Sequence, residues 1–198
     1  MKRFIALLII LILGVGVLIF TFSRTTVMFD YKNIETIAVT EKGTGKSVGT
    51  ISNNSSLYLP KDTDLVATYK GVSGYANGTV TFNSSGTMPV KLRPYYSKTK
   101  LLELLTLESP QIRNQINAQF PDITTRFTLS KEGLLRYGDW YIALYKYKGE
   151  YSLNSDSLRV VAKKTDGSWK TASSPEIFLN VVSYPDIPKE ILQKANDL

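Results

Sequence analysis

Residues 138–148 read GDWYIALYKYK. Four aromatic side chains fall within eleven positions, and Lys146 and Lys148 sit beside the last of them. In an extended strand, successive side chains point to opposite faces. Trp140, Ile142 and Leu144 then form one face, and Tyr141, Ala143, Tyr145 and Tyr147 the other. The first set is expected to be the core face, under whatever helices the neighbouring segments supply. The second is a row of tyrosines. It is either a platform that stacks on sugars or bases, or packing of the kind that aromatic residues give strands in general. The candidate ligand-binding set is therefore Tyr141, Tyr145 and Tyr147, with Arg159 and Lys163 placed beside them from the neighbouring strand. The lysines read as a solvated edge that discourages pairing with other chains.

Working outward, Ser97 is placed to cap a helix whose Leu101, Leu102, Leu104 and Leu105 make a broad apolar face. Ser109-Pro110 reads as a second cap with proline at the first helical position. Ile112, Ile116 and Phe120 recur every four residues, with Arg113, Asn114 and Asn117 outside, and Pro121 ends the helix. Strands are expected over 123–129, 139–148, 157–164, 168–172 and 177–182, with Asp166-Gly167 as a tight hairpin turn. A last helix follows Pro185-Asp186-Ile187-Pro188, with Ile187, Ile191, Leu192 and Ala195 on one face. This order predicts an α+β domain over residues 96–198, an antiparallel sheet with helices on one side. Its outline is similar to small cystatin- or NTF2-like folds. Gly167-Ser168-Trp169-Lys170 through Tyr184-Pro185-Asp186-Ile187-Pro188 resembles the end of single-pass surface proteins of reduced-genome bacteria, which implies a location and no activity.

Residues 34–95 are short β-like runs between turns: 36–40, 48–51, 57–59, 65–70, 80–82 and 88–92, broken by Asn53-Asn54, Asn77-Gly78 and Asn83-Ser84-Ser85-Gly86. The expectation is a small antiparallel β-sandwich. Leu57-Tyr58-Leu59-Pro60, Gly74-Tyr75, Val80-Thr81-Phe82 and Val90-Lys91-Leu92 resemble the PEGA-type repeat, a β-sandwich of bacterial surface and membrane-anchored proteins. Pro60-Lys61-Asp62-Thr63 stands where that family has its Pro-Glu-Gly-Ala turn. The resemblance implies an extracytoplasmic binding or spacer module with no catalytic residues to carry over.

Phe4 to Phe22 run nineteen residues without a charge, after Lys2 and Arg3 and before Arg24. As a helix this run is ~28 Å long, close to the ~30 Å hydrocarbon core of a bilayer. The flanking cations favour a cytoplasmic amino end, with the rest outside. A cleaved signal peptide is the rival, but its apolar region is shorter and ends in a small-x-small site. The expected fold class is thus an N-terminal transmembrane helix over 1–23, a linker over 24–33, a small all-β sandwich over 34–95 and the α+β domain. The expected location is the cell membrane, single-pass, with the bilayer as one partner.

The chain has no cysteine and no histidine, which excludes disulfides, Cys or His metal sites, and Ser-His-Asp or Cys-His catalysis. The net charge of +7 is dispersed: residues 30–97 carry seven basic and five acidic groups, and 98–198 carry fourteen and twelve. No single strongly basic face emerges, and no nucleic-acid partner is expected. Gly43-Thr44-Gly45-Lys46-Ser47 lacks the further glycine of a phosphate loop, since position 40 is threonine. Asn53, Asn54, Asn77 and Asn83 open Asn-x-Ser/Thr sequences but read as turn residues. Ser97-Lys98-Thr99-Lys100 has Ser-x-x-Lys spacing without the companion elements of penicillin-binding proteins, so Ser97 reads as a cap. No cofactor or metal is expected. The expected function is non-enzymatic: a membrane-anchored extracytoplasmic binding or structural protein of the envelope, whose partner is another envelope protein or a cell-wall polymer. The alternatives are an accessory subunit of a membrane complex and a carboxylate-dependent cell-wall hydrolase.

Overall fold

The computed structural model describes residues 23–149 and 157–198. They are mostly β-sheet with three helices, and divide between Pro94 and Tyr95 into two compact units.

The first unit has seven strands: β1 (Arg24–Tyr31), β2 (Ile34–Glu41), β3 (Ser47–Ile51), β4 (Ser56–Pro60), β5 (Asp64–Gly71), β6 (Gly78–Asn83) and β7 (Val90–Leu92). They form two sheets, ordered β4-β1-β7 and β3-β2-β5-β6. One core lies between them, built from Val27 and Phe29 of β1, Leu59 of β4 and Leu92 of β7 against Ile37, Val39, Ile51, Leu65 and Ala67 of the larger sheet. Phe29 meets Phe82 edge-on at 5.6 Å, an arrangement that favours the ring quadrupoles. Ser84 is buried but satisfied: its hydroxyl donates to Pro60 O (2.6 Å) and accepts from Thr63 N (2.9 Å). The pairing is not wholly antiparallel. The first strand and the last, β1 and β7, run parallel. Arg93 ties them with bonds to Asp30 O and Asp30 Oδ2, both 2.7 Å, and those bonds hold the Asp30 carboxyl below its usual range.

The second unit is a four-stranded antiparallel meander, β8 (Phe127–Leu135), β9 (Trp140–Tyr147), β10 (Ser157–Thr165) and β11 (Ser168–Thr171), with helices α1 (Lys98–Gln119), α2 (Pro121–Arg126) and α3 (Lys189–Asn196). Asp166 and Gly167 both have positive φ, as the two-residue hairpin between β10 and β11 requires. Ser97 caps α1 by accepting from Lys100 N (3.3 Å).

Several expectations are corrected. Residues 24–33, read as a linker, contain β1, which supplies Val27 and Phe29 to the core. Among the described residues no helix is long and apolar enough to cross a membrane. The expected transmembrane helix over 1–23 is not found among the described residues: residues 1–22 lie outside them, and Ser23 is part of a turn. The two helices expected before Pro121 are one, with Pro110 inside it. An interior proline costs about 3 kcal/mol; here Ile112 and Ile116 are fully buried on the sheet just beyond it and offset that cost. Leu102, assigned to the apolar face, is exposed. Residues 121–126 turn as a helix before the strand begins, because Pro121 presets the first turn, Asp122 and Arg126 suit the two ends of the helix dipole, and the Thr124 and Thr125 hydroxyls bond back to Pro121 O and Asp122 O.

No strand forms over 177–182. Glu176 makes an isolated bridge to Arg159, and the chain then leaves the sheet. The Asn196 side chain takes the place of a strand partner, accepting from Leu179 N (3.0 Å) and donating to Leu179 O (2.8 Å). The helices also do not share one side. Ile112, Ile116 and Ile123 of α1 and α2 pack on the face of Tyr141, Ala143 and Tyr145. Ile191, Leu192 and Ala195 of α3, with Leu179, pack on the face of Trp140, Ile142 and Val161.

Because β1 carries core residues, Phe29→Ala is expected to destabilise the first unit by ~3–5 kcal/mol. Denaturant unfolding of the full chain measures this; an unchanged midpoint would return residues 24–33 to the role of a linker.

Candidate functional site

The six residues from Trp140 to Tyr145 are all buried, and burial ends at Lys146. The tyrosine row is therefore covered by α1 and α2 for most of its length. It is the underside of a helix layer rather than an open platform, and each hydroxyl carried into it needs a partner or an opening.

Tyr141 is fully buried, and its hydroxyl donates to Glu132 Oε2 at 2.6 Å from the adjacent strand β8. Arg113 of α1 closes the network: its Nε donates to Glu132 Oε2 at 3.0 Å and its Nη2 to Glu132 Oε1. Burial alone would raise the Glu132 carboxyl. The hydrogen bonds from Arg113 and Tyr141, with the Arg113 charge, more than offset it and hold the group below its ordinary value of 4.5. Burial, then the bond to Glu132, keeps the Tyr141 hydroxyl protonated far above its usual range. The same ion pair holds the Arg113 guanidinium protonated.

Tyr145 lies four residues on, on the same face, with 3% of its surface exposed. Among the described residues its hydroxyl has no hydrogen-bond partner, and the same is true of Asn117 Oδ1, one helical turn after Arg113. A buried polar atom left in that state costs roughly 1–3 kcal/mol. Both residues line one cleft of about 240 Å³, between α1, the α2–β8 junction and β9, whose other walls are Arg113, Thr124, Phe127, Thr128, Leu129 and Lys148. Lys148 Nζ donates to Thr124 O at 2.5 Å. Burial, then the nearby Glu132 charge, raises the Tyr145 pKa, so the hydroxyl is neutral and keeps its proton to donate. Chemically the buried atoms of the cleft offer one neutral hydroxyl and one amide oxygen beside an apolar wall, and the exposed Thr124, Thr128 and Lys148 add two hydroxyls and a cation. Among the described residues, no group of three or more Asp or Glu side chains is arranged to hold a metal ion.

The five residues singled out from the sequence thus separate. Tyr141 belongs to the core network, and Tyr145 to the cleft. Tyr147, 36% exposed, stands at the end of the row with Phe127 edge-on at 5.5 Å and the Arg126 guanidinium 5.9 Å from its ring centre. Arg159 and Lys163 are not beside the tyrosines. The β9–β10 register sets Leu158, Val160 and Ala162 opposite Tyr145, Ala143 and Tyr141, while Arg159 faces Leu144 and Lys163 faces Trp140. Directly opposed residues share a face, so both cations lie on the α3 side. There Arg159 donates to Ile177 O (2.5 Å), and Lys163 sits 5.1 Å from the centre of the Trp140 ring.

Four residues of the network and cleft escaped the sequence reading as functional candidates: Arg113, Asn117, Glu132 and Lys148. The available signal was the spacing of Arg113 and Asn117, i and i+4 on one helix and each one position after a stripe isoleucine. That places them at the border of the buried face rather than opposite it.

Glu132→Gln is expected to cost roughly 1–3 kcal/mol near neutral pH. The folded carboxyl titrates below 4.5, so its ionised form stabilises in full above that value, and the contribution is lost as pH falls through the lower folded value. Denaturant unfolding of both proteins at about pH 7 and about pH 3 should show the gap narrowing in acid. A gap that widened in acid would refute the assignment.

The chain matches no family model, no curated protein and no solved structure.

Proposed function

We propose that this chain is a non-catalytic binding module of the cell envelope, acting outside the cytoplasm, and that its partner is a cell-wall polymer held at the Tyr145 cleft. The observation that carries this reading is the pair of buried polar atoms, Tyr145 Oη and Asn117 Oδ1, left without partners in the wall of one cleft. The adjacent network is satisfied: Tyr141, Glu132 and Arg113 bond one another, and the third buried atom without a partner among the described residues, Arg159 Nε, lies on the opposite face of the sheet. An interior that closes one polar network and leaves two atoms open beside it has kept hydrogen-bonding capacity for something outside the chain. Glu132, the carboxylate of this network, is committed to Arg113 and Tyr141. A group held ionised in that way is a poor proton donor, so the geometry favours binding over hydrolysis.

The envelope location is supported by the uncharged run Phe4–Phe22 between Lys2, Arg3 and Arg24. The PEGA-like character of residues 34–95 supports a spacer or second binding role for the first unit.

Two measurements test the reading. Protease added to intact cells should remove the carboxyl-terminal unit; survival of that unit would place it inside. The full chain should sediment with isolated cell envelopes, and Tyr145→Phe, which removes one oxygen and keeps the ring, should reduce the bound fraction several-fold with a thermal midpoint no lower than that of the wild type. Undiminished sedimentation of Tyr145→Phe would remove the cleft from the reading.

A further inference from the structure

The chemistry of the cleft narrows what can occupy it. We infer that it receives one neutral sugar ring, bearing hydroxyls on one side and a C–H face on the other. This rests on the reading of the chain as a binding module and specifies the ligand of that site.

The argument starts from charge. Arg113 is the cation deepest in the network, and two of its nitrogens are spent on Glu132. Glu132 in turn receives the Tyr141 hydroxyl. The pair neutralises itself, and Lys148, tied to Thr124 O, is the other cation of the lining. Lys148 is exposed and keeps its charge toward solvent, while the capacity left unspent at the buried atoms, Tyr145 Oη and Asn117 Oδ1, is neutral. Asn117 Oδ1 is an acceptor and calls for a donor. Tyr145 Oη, protonated, both donates and accepts. A carboxylate only accepts, and would set negative oxygen against Asn117 Oδ1; phosphate carries at most two hydroxyls among its charged oxygens and has no C–H face for the apolar wall. An ammonium only donates, and would approach Arg113 and Lys148 as a like charge. A sugar hydroxyl donates to the amide oxygen, while its neighbour exchanges a bond with the tyrosine.

The apolar wall agrees. Phe127, Leu129 and the Tyr145 ring face the same space, and aromatic faces pack on the C–H side of a sugar ring. Phe127 is fixed by Tyr147 at 5.5 Å, so that wall is set before a ligand arrives. Size agrees as well. At about 240 Å³ the cleft is smaller than the ~300–1,000 Å³ of drug-sized pockets, and suits a single ring. It is a surface cleft rather than a sealed cavity, so a ring within a longer glycan can enter while its neighbours stay outside.

The experiment is calorimetric titration of the full chain with four probes: glucose and N-acetylglucosamine as neutral rings, glucuronate and inorganic phosphate as anions. Wild type, Tyr145→Phe and Asn117→Ala are compared, with thermal unfolding as the fold control. A neutral ring should saturate the wild type, glucuronate should bind no tighter than its neutral counterpart, and each variant should weaken the neutral probe roughly 10-fold. If an anion binds and Tyr145→Phe abolishes it, the cleft is a binding site but the sugar assignment is overturned. If no probe binds and Tyr145→Phe raises the thermal midpoint, the unpartnered hydroxyl is only a packing cost, and both this inference and the binding reading fall. Neutral-ring binding unchanged in both variants would place the sugar elsewhere and overturn the assignment to this cleft.

Discussion

The second unit is organised by one constraint: β9 must be covered on both faces. Six consecutive buried residues from Trp140 to Tyr145 leave no side of that strand for solvent. A layer must therefore be found for each face, and the two layers come from opposite ends of the unit, α1 and α2 before the sheet and α3 after it. The apolar face of Trp140 and Ile142 takes a short helix without difficulty. The tyrosine face does not, because every ring that enters it brings a hydroxyl that cannot be abandoned without cost.

The Arg113–Glu132–Tyr141 network answers part of that demand. Glu132 on β8 meets the Tyr141 hydroxyl, and the carboxylate so buried requires a cation, which α1 supplies. The ion pair thereby also sets how α1 sits on the sheet. Breaking one member strands the others, which is why such networks carry more weight than exposed pairs such as Lys70–Glu35. The demand is not met for Tyr145 or Asn117, and the unmet remainder coincides with the cleft. The rule that satisfies Tyr141 leaves Tyr145 and Asn117 with unspent hydrogen-bonding capacity at that cleft.

On the opposite face the same economy of polar groups takes another form. The segment after β11 was expected to continue the sheet. It crosses over instead, with Leu179 buried and its backbone held by the Asn196 amide. A side-chain amide offers a donor and an acceptor at peptide-like spacing, so one residue on α3 replaces a strand neighbour. Nothing in the run Ile177–Val182 announces that substitution, because its β-branched composition is that of a strand. In the first unit the error was of another kind. Val27, Phe29 and Tyr31 fall at alternate positions with Thr26, Met28 and Asp30 between and beside them, a period-two signal of β1 that the apolar Met28 blurs. It was read as a linker because it follows directly on the apolar run, without a turn to separate them.

The chain's own residues determined the local chemistry: the Ser97 cap, the Asp166-Gly167 hairpin, the two alternating faces of 140–147, and the exclusion of thiol and imidazole catalysis. These are properties of one residue or of a fixed spacing, and they do not wait on distant partners. Tertiary structure alone decided which face of β9 lay under which helix, that Arg159 and Lys163 stand across the sheet from the tyrosines, and that Asn117 and Tyr145 share a cleft. Those facts depend on strand register and helix placement. A shift of register by one residue exchanges the faces, and the pairs that set it join separate strands, from Leu135 with Trp140 to Lys163 with Trp140.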